Sequence, residues 1–106
     1  MVAKYYRIRH KWSWEPRGLV MVDTLPDGRT VFGWSLCDNK DRFSKVEARN
    51  FALARMDGQD IVAITEDQKS VSDAISLMPH SLHECAIRAY LMEFRKTHKS
   101  KIWIRK

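Results

Sequence analysis

Cysteine, glycine and proline are scarce in this chain, with two, four and three residues among 106. Two cysteines, Cys37 and Cys85, are too few for a disulfide-stapled scaffold. They suit a reducing compartment as free, half-buried thiols, although counting leaves a single bridge between them open. No linker, internal repeat or low-complexity stretch breaks the sequence. No apolar run approaches the roughly 20 residues that a bilayer span needs. The opening MVAKYYRIRH has no apolar signal-peptide core. These absences lead to the expectation of a cytoplasmic protein with no membrane partner. Disorder is excluded by composition, since 44% of residues are hydrophobic and four are tryptophan. The length suits one domain with one modest core, residues 1–106.

Acidic residues are missing where the bases gather. Residues 1–22 hold five bases against Glu15 alone, and residues 95–106 hold six bases and no acid. The remaining 72 residues hold eight bases and twelve acids, so the ends carry +10 and the middle −4 within a net charge of +6. Such asymmetry points to a polyanion or to an acidic protein surface, against the alternative of a general solubility bias.

The hydrophobic pattern predicts an α+β domain. KYYRIRHKWSW alternates with period two and reads as one strand, with Tyr5, Arg7, Arg9 and Lys11 on a basic face and Tyr6, Ile8, His10, Trp12 and Trp14 opposite. Glu15-Pro16-Arg17-Gly18 reads as a turn, and GLVMVDT as a second strand. LPDGR supplies Pro26 and Gly28 for a hairpin into RTVFGWSLC, where Gly33 marks a bulge or a close backbone approach. Three Ser-x-x-acid patterns, at Ser44, Ser70 and Ser81, predict helix starts. The helices should span about 45–56, 71–78 and 82–96, with Asp57-Gly58 and Pro79 as stops. DIVAIT reads as a short buried strand, and KIWIRK as a closing strand. The order β-β-β-α-β-α-α-β predicts a mixed or antiparallel sheet of about five strands with two to three helices on one face.

Chemical motifs are few. His80-Ser81-Leu82-His83-Glu84-Cys85 gathers zinc-compatible groups, but no second ligand pair accompanies it, and capping plus packing explains it better. No nucleophile elbow, zincin motif or phosphate-binding glycine loop is present, so no catalytic residue, metal or cofactor is assigned. Cys37 beside bases lacks an evident general base. Two basic groupings stand out. Lys45 and Arg49 share one helix face at a helix start, with Lys40 and Arg42 on the loop side, and suit a phosphate, a nucleotide or a protein carboxylate. The alternative is that Asp38, Asp41 and Glu47 neutralise them in weak surface pairs. Arg7, Arg9 and Lys11 on the first strand, with Lys101, Trp103 and Arg105 on the last, would form a basic, aromatic sheet surface for single-stranded nucleic acid. The alternative there is an edge protected by charge.

VFGWSLCDNKDRFSKVEARNFALARM, with Cys37, Asp41, Phe43-Ser44-Lys45, Arg49, Ala52 and Arg55, resembles small uncharacterised accessory proteins of bacteriophages and mobile elements. The resemblance spans residues 31–57, and Ala48 replaces the glycine expected before Arg49. It implies a phage or prophage origin, hence a host-cell cytoplasm, and supplies no activity. The resulting expectation is a non-enzymatic accessory protein that binds an anionic partner, nucleic acid first. The runners-up are an inhibitor that binds the acidic surface of a host defence or regulatory protein, and a nucleotide-binding sponge. The oligomeric state stays open, a homodimer included.

Overall fold

The computed structural model describes residues 1–38 and 41–98. The expected closing strand, with Lys101, Trp103 and Arg105, lies outside the described residues. Within them the chain runs β1 (Val2–His10), β2 (Ser13–Thr24), β3 (Arg29–Leu36), α1 (Lys45–Asp57), β4 (Ile61–Ile64), α2 (Gln68–Ser76), a 3₁₀ turn (His80–Leu82) and α3 (His83–Thr97). The four strands form one antiparallel sheet in the order β1-β2-β3-β4. The α+β class is therefore as the pattern predicts. The described sheet has four strands rather than about five.

The helices divide between the two sheet faces, where the sequence reading put them on one. Val20, Val22, Phe32, Ile61 and Ala63 meet α2, the 3₁₀ turn and α3 through Val71, Ala74, Ile75, Leu82, Ala86 and Ala89. The alternate residues Leu19, Met21 and Val31 meet α1 through Ala48, Ala52 and Met56. Strand parity sends successive side chains to opposite faces. A central strand covered on both sides is therefore apolar throughout, as Leu19-Val20-Met21-Val22 is. Gly33 is the close approach anticipated from its sequence position. A Cβ there would lie 2.1 Å from the Ala52 carbonyl oxygen, so only glycine lets the α1 backbone rest on β3.

The first turn also differs from expectation. The strand does not continue through Trp12. His10 pairs with Ser13, and Lys11 takes φ 52° to close a two-residue turn. Trp14 thus belongs to β2, and Glu15-Pro16-Arg17-Gly18 is strand rather than turn. The register slips between Tyr6 and Arg7, where Tyr6 faces Gly18 and Arg7 faces Pro16, which leaves Arg17 as the extra residue of a bulge. A bulge tolerates proline because the ladder is already interrupted there.

Of the three predicted helix starts, one has the expected chemistry. The Ser44 side chain accepts from the Glu47 amide at 3.3 Å. α2 starts earlier than predicted, capped by Asp67, which accepts from the amides of Lys69 and Ser70. The Ser70 hydroxyl instead accepts from the Ile64 amide at 2.8 Å and ties α2 to β4. α3 has no side-chain cap, because the 3₁₀ turn leads into it and Glu84 pairs with Arg88 at 2.6 Å.

Candidate anion-binding surface

β3 ends at Leu36, opposite Gly18, while β1 and β2 continue as a two-stranded ribbon for about 13 Å at the usual strand rise. The ribbon carries Arg7, Arg9 and Lys11, all exposed. Trp12 at its tip is 95% exposed and Trp14 is 61% exposed. Arg9 and Trp14 are direct cross-strand partners, so a guanidinium and an indole share one face.

The base of the ribbon meets the start of α1. The Arg7 guanidinium lies 5.7 Å from the Tyr5 ring centre, and the Lys45 ammonium lies 5.3 Å from it. Phe43 packs edge-on against Tyr5 at 6.2 Å and joins the apolar cluster that contains Ala48, as expected of a hydrophobic staple. The structure thus brings Arg7 and Lys45, from separate basic groupings of the sequence, to one ring. Arg49 follows one turn along α1 and is exposed. Among the described residues no carboxylate is in ion-pair range of Arg7, Arg9, Lys11, Lys45 or Arg49. Among the described residues Lys45 and Arg49 form no ion pair with Asp38, Asp41 or Glu47, and Lys40 of the same expected grouping lies outside the described residues.

Arg55, by contrast, serves the fold. Arg55 donates to the Trp34 carbonyl at 2.6 Å and stacks over the Trp34 ring at 3.9 Å. β4 pairs only with Arg29–Phe32, so this end of β3 is open and Arg55 can reach it from α1. The VFGW and Arg55 parts of the 31–57 pattern are therefore a packing seam.

The histidine-rich stretch is likewise occupied in packing. A His83 ring nitrogen bonds the Met78 carbonyl at 2.9 Å, and the His80 and His83 rings lie 5.0 Å apart. Among the described residues no three His, Cys, Asp or Glu side chains gather as a metal site. Cys37 and Cys85 are free thiols. Burial pushes the Cys85 thiol above its ordinary pKa, with Arg88 opposing and Glu84 reinforcing the shift. Its sulfur donates to the Tyr5 carbonyl at 3.6 Å.

Sequence reasoning missed the exposure of Trp12 and Trp14 because their alternation continues that of β1. The Lys11-Trp12 turn has none of the usual Asn-Gly or Asp-Gly chemistry. It also missed Glu93, which is 4% exposed on α3, accepts from the Thr24 amide at 3.2 Å and lies 3.4 Å from the Met1 α-amino group.

No family model, curated protein or solved structure matches this chain.

Proposed function

We propose that this chain is a nucleic-acid-binding module without catalytic activity, and that the β1–β2 ribbon with the start of α1 is its contact surface. One observation carries the reading: Arg9 and Trp14 are paired on an exposed ribbon whose tip is Trp12, and the adjoining cations have no carboxylate partners among the described residues. Indole rings can stack on bases, and arginines and lysines can track phosphates, which together favour single strands over duplex. The resemblance at residues 31–57 motivates the setting we infer, an accessory protein of a phage or mobile element acting in host cytoplasm. No helix among the described residues is long and apolar enough to cross a membrane.

The test is tryptophan fluorescence of nuclease-treated protein titrated with single-stranded and duplex oligonucleotides at two salt concentrations. The expected result is salt-sensitive quenching that favours single strands and is weakened in Trp14→Ala and Arg9→Ala. A flat response to both nucleic acids would overturn the reading and favour an acidic protein surface as partner.

A further inference from the structure

A pocket of about 350 Å³ opens where the ribbon base meets the loop before α1. Arg17 lines it from β2, and Arg42 and Lys45 line it from the loop before α1 and the first residue of α1, with Phe43 between them and Glu15 and Asp41 also in the lining. Arg17 is unusual among them. Its side chain is only 18% exposed, yet its contacts are one hydrogen bond, Nη1 to the Asp41 carbonyl at 2.9 Å, and a loose 3.6 Å approach to Glu15. Its Nε is buried and bonds nothing. A guanidinium has five N–H donors in a fixed fork, and leaving them underused in a partly buried site is costly. Asp41 bonds Arg17 through its backbone carbonyl, and its carboxylate is exposed and forms no ion pair with Arg42 or Lys45. Three cations thus converge on one opening with two carboxylates, one of them already beside Arg17.

We infer that this pocket is a phosphate subsite, in which Arg42 and Lys45 close on a phosphate group whose charge Arg17 balances from behind. The bulge at Arg17 creates the site. As the extra residue of β2 it leaves the regular alternation, and its side chain reaches Asp41 of the loop before α1. Phosphate suits the site better than a carboxylate does. A terminal phosphate monoester offers up to two charges and three acceptor oxygens to the three cations, and a backbone diester offers one charge and two free oxygens within a strand that the ribbon already holds. The inference rests on the proposed nucleic-acid reading only for the source of the phosphate, which is either a strand terminus or the backbone of a strand stacked on the ribbon.

The experiment uses Arg42→Ala and Lys45→Ala, both at exposed positions. Each is compared with the parent against pyrophosphate by thermal shift, and against one oligonucleotide with a 5′-phosphate or a 5′-hydroxyl. A terminal phosphate predicts that the 5′-phosphate form binds at least about tenfold more tightly and that either variant erases the difference. A backbone phosphate predicts equal binding of the two forms, with both weakened in each variant and the salt slope reduced by about one. Pyrophosphate stabilisation lost in both variants supports the subsite even if Trp12 and Trp14 variants show that the ribbon binds no nucleic acid. Variants that match the parent with every probe overturn the subsite, whatever becomes of the ribbon.

Discussion

At the seam between α1 and β3 an arginine is locked, while on the ribbon three cations and two indoles are left over. Arg55 has a backbone carbonyl at 2.6 Å and an indole face at 3.9 Å. Arg9 also has an indole beside it, as the cross-strand partner of Trp14, but that ring is 61% exposed and no carboxylate among the described residues is in ion-pair range of the arginine. The same residue pair is structural where a helix lies over it and available where none does. The placement of α1 decides which, and Gly33 decides the placement of α1.

Gly33→Ala should therefore have the largest effect. The added methyl would overlap the Ala52 carbonyl oxygen, and backbone cannot move aside as a flexible side chain can. A loss of about 3 kcal/mol or more is expected in urea unfolding, at the upper end of overpacking effects. A near-parental midpoint would mean that α1 does not rest directly on β3. Arg55→Ala comes next, at about 2 kcal/mol, from one lost hydrogen bond and one partly desolvated cation–π contact. Arg55→Lys should recover less than half of that, because an ammonium cannot reproduce the planar stack. Full recovery would show that charge alone matters at the seam.

The ribbon should behave in the opposite way. Trp12→Ala and Trp14→Ala are expected to leave stability within about 0.5 kcal/mol, because neither ring is part of the two apolar clusters. Each should weaken single-strand binding by about 1–3 kcal/mol if it stacks on a base. Destabilisation by either variant as large as that of Arg55→Ala would erase the contrast between seam and ribbon.

These cases also show what the sequence made legible. The Leu25–Arg29 turn was readable because proline and glycine stand at the positions its geometry requires, with Gly28 at φ 87°. The Ser44 cap was readable because its partner lies three residues away. The turn at Lys11 was not readable, since a non-glycine at positive φ leaves no compositional mark. The cap of α2 was misplaced because Ser70-Val71-Ser72-Asp73 satisfies a local pattern while Asp67 satisfies the actual amides. The candidate surface was half legible. Arg7, Arg9, Lys45 and Arg49 announce themselves by charge, but the approach of Arg7 and Lys45 to Tyr5 depends on how α1 packs against the sheet. The part of Arg17 depends on a one-residue bulge that no periodicity encodes.

The smallest predicted effect concerns the opposite face of the sheet, where α3 covers groups that the ribbon would leave to solvent. Burial pushes both the Cys85 thiol and the Tyr90 phenol above their ordinary pKa values. The Tyr90 hydroxyl donates to the Thr65 carbonyl, and that bond needs the proton. In each case the folded state holds the proton more tightly than the unfolded chain does. The stabilisation is therefore fully present below the unfolded pKa, about 8.5 for a thiol and about 10 for a phenol, and is lost as pH rises through the raised folded value. Urea unfolding should give a constant midpoint near neutrality and a falling one in the alkaline range. Cys85→Ala should flatten the earlier part of that fall, and Tyr90→Phe the later part. Both side chains are partly solvated, so each contribution is small, and alkylation of Cys85 gives a sharper readout. Its rate in native protein should rise with pH later than that of the same thiol in the unfolded chain. Coincident profiles would mean that α3 does not shield the sulfur. The ribbon and the α3 face would then differ only in charge, not in how they treat water.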